Sequence, residues 1–246
     1  MSESVTPSAV VLGVGPVRGL GAELAKYFAH EGLLVFAVGR SPERLAETVA
    51  RIDVETAGTI IPFVADVTQE DEVTELFRRV ARQSVPELVA YNVDRNERAA
   101  LLDTSTELFE DLWRKNCWGG FLVGREAIRH FLPRQRGTLI MTGATASLRA
   151  RPPFTAFAAA KAGLRALAQG MAREFGPQGI HVVHAIIDGV IDGDRARMQF
   201  PEYVAAKEPD GLIDPRAIAG TYWMLHRQEK SAWTHEIDLR PYCEGF

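Results

Sequence analysis

The chain has 246 residues, 46% of them hydrophobic, enough to bury a substantial core in one large domain or two small ones. A formal net charge of -4, with Lys and Arg scattered among Asp and Glu, excludes the concentrated basic footprint of a nucleic-acid binder and leaves small molecules as the expected partners. No apolar run approaches the roughly 18 residues that span a bilayer. The opening MSESVTPSAV has neither the basic flank nor the apolar stretch of a signal peptide, so a cytoplasmic protein without a membrane partner is expected.

In chain order, short runs rich in Val and Ile alternate with longer amphipathic stretches. The runs predict strands over 9–14, 33–38, 59–65, 87–92, 138–143, 181–187 and 235–240. The stretches between them predict helices over 19–32, 42–52 and 70–83, a long one over 106–131 and another over 154–175. Strand–helix alternation of this kind builds βαβ units and a parallel sheet, and near-continuous hydrophobicity in the strands means both faces are covered. No repeat, low-complexity tract or linker breaks the rhythm. The expectation is therefore an α/β protein, a single-domain doubly wound parallel sheet over 1–246, with about seven strands and helices on both faces. The segment 189–214 mixes charge, Gly and Pro with little periodicity, and is expected to be an irregular lid or substrate loop.

Cys117 and Cys243 are too few for a disulfide framework and lack metal-ligand spacing. His181, His184 and His235 lie on or beside predicted strands without a clustered ligand set, so structural roles are expected and no metal site.

The first strand runs into Gly13-Val14-Gly15-Pro16-Val17-Arg18-Gly19-Leu20-Gly21 and then at once into a helical pattern. Glycines there permit a tight turn and let the backbone approach a pyrophosphate, while the helix N-terminus offers unpaired N–H groups to negative charge. Arg40 directly follows the second strand, where a protein that prefers NAD carries an acid for the ribose hydroxyls. An arginine suits a 2′-phosphate instead, and Arg18 in the glycine loop is placed to reach the same group. The expected cofactor is NADP(H) in preference to NAD(H).

These residues, with others in the same order along nearly the whole chain, resemble the short-chain dehydrogenase/reductase family. Gly15, Gly19, Leu20 and Gly21 fall in what is similar to its glycine motif, Asp66-Val67 to its adenine-contacting pair, and Asn92 in Tyr91-Asn92-Val93-Asp94 to its fourth-strand motif. The resemblance implies that Asn116 holds a water in a proton relay and that Lys161 binds the nicotinamide ribose. It also implies that Asp188-Gly189 lies beside the nicotinamide, with Gly189 and Ile191 contacting cofactor. Family members pair into dimers and tetramers, and the Ala/Gly face of the helix after Phe157 suits a homodimer or homotetramer.

The departures fall on the chemistry. Phe157 stands four residues before Lys161, where the family carries Tyr, and Ala144 stands at the matching Ser position. General acid catalysis and oxyanion stabilisation contribute factors of about 10² to 10⁴ and 10² to 10³ respectively, and a ketone reductase would miss both. Asp188, Tyr91, Thr145 and Ser147 are the candidate replacements, each with an ordinary structural reading beside it: a turn cap, a packed aromatic or a turn former. Phe200, Tyr203, Tyr222 and Trp223 are expected near the acceptor. Three readings follow. One is an NADP(H)-dependent oxidoreductase with an altered proton relay and an unspecified small organic substrate. The others are a carbonyl oxidoreductase with a compensating hydroxyl or water, and a non-catalytic NADP(H)-binding protein serving as sensor or oligomer partner.

Overall fold

In the computed structural model, which describes residues 6–53, 59–243 and 245, each Val- and Ile-rich run becomes a strand. They are β1 (Pro7–Leu12), β2 (Leu34–Gly39), β3 (Ile60–Val64), β4 (Val85–Tyr91), β5 (Gly137–Thr142), β6 (Ile180–Ile187) and β7 (Glu236–Leu239). All neighbours pair in parallel, in the order β3-β2-β1-β4-β5-β6-β7. The crossovers change direction between β1 and β4, which opens a crevice at the carboxyl ends of those strands. Every residue of β5 and β6 is buried, whereas β3 and β7 are half-exposed edges. Pro62 is tolerated in β3 because an edge strand lacks a second ladder to feed.

The helices are α1 (Leu20–His30), α2 (Pro42–Ile52), α3 (Glu70–Gln83), α4 (Thr106–Trp113), α5 (Gly119–Phe131), α6 (Thr155–Phe175), α7 (Asp194–Gln199), α8 (Pro201–Ala205) and α9 (Pro215–His226). Successive strand residues point to opposite faces and so feed two cores. Val11 and Ala37 pack with Leu24, Phe28 and Tyr222 under α1 and α9. Val10 and Val38 pack with Phe77, Leu122 and Leu164 under α3, α5 and α6. This is the doubly wound single-sheet arrangement that the strand–helix rhythm implies.

Three local features differ from the sequence expectation. The helix over 106–131 is not continuous: a π-helical turn, Arg114–Trp118, separates α4 from α5. Gly119 and Gly120 follow it because there is no room for a side chain. A Cβ on Gly119 would stand 2.5 Å from the Tyr91 hydroxyl, and one on Gly120 would overlap Leu164. The segment 189–214 is more ordered than its composition suggests, holding α7, α8 and a parallel bridge between Ile191 and Ile213. Finally, α9 had no counterpart in the sequence reading, although its start is signalled. The Asp214 side chain accepts from Arg216 N at 2.8 Å, Pro215 opens the helix, and Ile218, Ala219, Tyr222 and Leu225 face the core. Among the described residues no helix is long and apolar enough to cross a membrane.

Candidate functional site

The crevice at the carboxyl edge of the sheet is a cleft of about 890 Å³. Its first wall is the turn from β1 to α1. Gly13 and Val14 donate their N–H groups to Val38 O at 3.0 and 2.9 Å, which bends the chain sharply with Gly13 at φ 90°. A Cβ on Gly13 would meet Asn92 O at 2.5 Å, and one on Gly21 would overlap Gly13 O, so both positions require glycine. Gly15 is different. A Cβ there would meet no protein atom within 4 Å and would occupy the cleft it lines. An open backbone cradle facing the N-terminus of α1 fits a pyrophosphate. The cradle is held from behind by Thr48, whose buried hydroxyl donates to Gly15 O at 2.8 Å.

The second wall follows β2 and β3. Arg40 lines the cleft with an exposed guanidinium 4.0 Å from Asp66 Oδ2. Arg44, in the first turn of α2, lines it too. Arg44 carries no motif of its own in the sequence; it reaches the cleft because it sits in the first turn of α2, directly after the bend that holds Arg40. Arg18 also lines the cleft, and its backbone is clasped by Asp194, whose N–H donates to Arg18 O at 3.0 Å. Asp66 turns one carboxylate oxygen to the N–H of Thr68 at 2.9 Å, Val67 is buried beside it, and Asn92 is tied by its N–H to Leu12 O at 3.0 Å. Gly19, Leu20 and Gly21 at the start of α1, and Gly189 and Ile191 after β6, line the cleft as well.

The chemical end lies beyond β4 and β5. Lys161, on α6, is 1% exposed, and its ammonium donates to Thr142 O at 3.1 Å and stands 3.1 Å from Asp94 Oδ1. The Phe157 ring lies one turn away, its centroid 5.7 Å from Lys161 Nζ, a cation–π contact where a phenol would carry a hydroxyl. Ala144 and Thr145 line the same end. Asp94, which the sequence reading quoted without a role, is shared. Its second oxygen accepts from Arg195 of α7 at 3.1 Å. Desolvation works to raise the Asp94 pKa, but the Lys161 ammonium and the Arg195 guanidinium outweigh it and hold the carboxyl below its ordinary range.

Several candidates are turned away from the cleft. Asn116, in the π-helical turn, is fully buried and spends its amide on the carbonyls of Leu112 and Arg95, each at 2.9 Å. Asp188 is buried behind the lining, where it accepts from the Thr145 hydroxyl and pairs with Arg240 at 2.9 Å and Arg149 at 3.4 Å. Tyr91 is fully buried, donates its hydroxyl proton to Lys115 O at 2.5 Å, and is held well above its ordinary pKa by desolvation. The Ser147 hydroxyl accepts from Ala144 N at 3.1 Å and so caps the turn after β5. Of the aromatic residues expected at the acceptor, only Phe200 lines the cleft. Tyr203 faces Lys207, Tyr222 bonds the Thr142 hydroxyl at 2.9 Å inside the core, and Trp223 packs on Phe28. His181 stacks on Trp233 with ring centroids 4.7 Å apart, and the described residues contain no group of three or more His, Cys, Asp or Glu arranged to hold a metal ion.

Fold and cleft together define an α/β protein of the doubly wound class with its large cleft at the switch point. Residues 9–203 match the short chain dehydrogenase family, and the chain belongs to that family of oxidoreductases. It is similar to the gluconate 5-dehydrogenase of Gluconobacter oxydans, with 30% identity over 214 residues covering 86% of this chain and 80% of that one. The NADPH-dependent 1-acyldihydroxyacetone phosphate reductase of Saccharomyces cerevisiae is 26% identical over 209 residues, 83% of this chain and 69% of that one. A short-chain dehydrogenase from Rhodopseudomonas palustris, known as a crystal structure, superposes with a TM-score of 0.81 at 41% identity, covering 96% of this chain and 99% of that one.

Proposed function

We propose that the protein binds NADP(H) along this cleft and exchanges a hydride between it and a small organic molecule, using a proton relay other than a tyrosine. The observation that carries the reading is the continuity of one wall, from Arg40 and Arg44 through the open cradle at Gly15 to the Lys161 ammonium. Arg40 and Arg44 pair with a 2′-phosphate, the N–H groups at the start of α1 take the pyrophosphate, and Lys161 holds the ribose hydroxyls. When bound, the nicotinamide supplies or accepts the hydride. The segment 189–214 contributes Gly189 and Ile191 as its cover.

The proton is the altered part. Phe157 carries none, the buried Tyr91 hydroxyl donates its hydrogen bond to Lys115 O, and the three groups around Asp188 all donate to it, which leaves that carboxylate an acceptor. The Thr145 hydroxyl is spent in the same way, so the proton-bearing groups left at this end are the Lys161 ammonium and solvent. Such a site suits an acceptor needing little acid help, an activated alkene or a preformed iminium, better than a plain ketone. A second reading, a non-catalytic NADP(H)-binding protein, is favoured by the Lys161 ammonium already being engaged by Asp94 and Phe157. In either case two copies pair through the exposed small residues Ala159, Ala162, Ala166 and Gly170 of α6, and the free thiols Cys117 and Cys243 suit the cytoplasm.

Fluorescence titration with NADPH and NADH, run beside an absorbance screen of NADPH oxidation against ketones, quinones, imines and enones, tests both readings. Preferential NADPH binding with turnover of enones or imines is expected. Binding without turnover of any class transfers the assignment to the non-catalytic protein, and no binding removes both.

A further inference from the structure

The chain as a whole carries a net charge of -4, yet nine basic side chains and only two acidic ones, Asp66 and Asp94, line the cleft. The cofactor's phosphates account for Arg18, Arg40 and Arg44 at the glycine-loop end. They do not account for the other end. There Asp94 is one carboxylate serving two cations, Lys161 and Arg195. Arg98 and Arg151 also line that end, and neither makes an ion pair or a side-chain hydrogen bond among the described residues.

These two arginines sit on loops that are joined to each other. Arg98 follows β4 and Arg151 follows β5, and Ala99 N donates to Pro153 O at 3.0 Å, which ties the loops together at the mouth of the cleft. Between them stands Phe154. The Arg98 guanidinium lies 5.8 Å from its ring centroid, and its N–H donates to Arg151 O at 2.8 Å. Both arginines are separated from the glycine loop by the strand order, since β4 and β5 lie on the opposite side of β1 from β2 and β3. Unpaired guanidinium groups held at a cleft mouth repel each other and attract an anion.

We propose that the substrate is itself an anion, a small organic molecule whose carboxylate or phosphate group is held by Arg98 and Arg151 while its reacting carbon faces Lys161. The proposal rests on the reading of this cleft as a redox site, but its binding step is measurable without turnover. Phe154 and Phe157 supply the apolar floor under the uncharged part of the molecule.

Calorimetry at low ionic strength with succinate, inorganic phosphate and neutral succinamide tests it, on NADPH-loaded protein and on a cofactor-free Arg40→Gln/Arg44→Gln variant, in which the cofactor-phosphate end is disabled. The expected result is that succinate, phosphate or both bind to each form while succinamide does not. Arg98→Gln/Arg151→Gln should weaken that binding by about tenfold or more and leave NADPH affinity unchanged. Succinate alone binding identifies a carboxylate substrate, and phosphate alone a phosphate ester. Equal binding of succinamide, or anion binding indifferent to the arginine substitutions, overturns the proposal. Failure of NADPH to bind overturns the redox reading instead and leaves the anion test readable on the cofactor-free variant.

Discussion

Asp94 Oδ1 stands 3.1 Å from Lys161 Nζ, so the cation assigned to the cofactor's ribose is held by a carboxylate of the same chain. Lys161 is almost wholly buried, and removing its partner leaves an ammonium with Thr142 O and the Phe157 ring but no counter-charge. Asp94→Asn should lower stability to urea by about 1–2 kcal/mol, less than a fully buried pair because the Asp94 side chain is 33% exposed. The same substitution removes a negative charge from a cleft built for an anionic cofactor, so NADPH should bind about two- to threefold more tightly. Weaker NADPH binding in a fluorescence titration would show that the carboxylate organises Lys161 for the cofactor and does not compete with it.

Arg40, in the bend after β2, and Arg44, in the first turn of α2, both line the end where a 2′-phosphate is expected. Arg40→Gln/Arg44→Gln should raise the NADPH dissociation constant by about 10- to 100-fold, as the loss of charge-assisted hydrogen bonds predicts, with little change for NADH. An equal loss for both nucleotides would assign these side chains to the adenine or to stability.

Restoring a phenol and a hydroxyl tests the altered relay. Phe157→Tyr/Ala144→Ser should raise ketone reduction by about tenfold, short of the roughly 10²- to 10⁴-fold that a positioned general acid contributes. The shortfall comes from Asn116, whose amide is already spent on Leu112 O and Arg95 O. A complete absence of gain in steady-state assays would mean that the acceptor pocket no longer admits a carbonyl in that position.

Stability should fall on acidification in two stages. Burial pushes the imidazoles of His184 and His226 down from 6.5 to about 4, against the pull of Glu236 on the first and Glu87 on the second. Each is neutral in both states above 6.5, where its contribution is fully present, and that contribution is lost as the pH drops towards 4, on the order of 3 kcal/mol per histidine over the whole window. Glu236, held at about 2 chiefly by the Arg165 guanidinium, adds a second loss from 4.5 downwards. His184 is the sharper case, because its Nε2 is buried with no hydrogen-bond partner among the described residues and lies against Gly143. The urea midpoint should drop between about pH 7 and pH 5 in the parent and less so in His184→Gln; parallel curves for the two proteins would remove His184 from the account.

The inner strands were legible because buried parallel strands are continuous in Val and Ile, the edge strand β7 because Ile237 and Leu239 alternate with Glu236 and Asp238, and the glycine turn because its spacing follows from one local task. The break in the long helix was not: the π-helical turn leaves the apolar periodicity over 106–131 intact, and the packing of Gly119 and Gly120 on Tyr91 and Leu164 beside it involves elements distant in sequence. At the site, Lys161, Phe157 and Ala144 lie at one end of the cleft as their spacing implies. The partnership of Asp94 with Lys161 and Arg195 was hidden for the opposite reason: three charged residues on three elements carry no shared period. Asp188 stands where the resemblance put it in the chain, but Arg149 and Arg240 draw its carboxylate behind the lining.

The Thr48 hydroxyl that holds Gly15 O belongs to the same helix as Arg44. The part of the protein that reads the phosphate on the adenosine and the part that cradles the pyrophosphate are thus fastened to each other. Cofactor preference here is not a detachable module: a turn and helix transplanted after β2 to accept NAD would also carry away the fastening of the glycine loop, unless the graft keeps a hydroxyl at the position of Thr48.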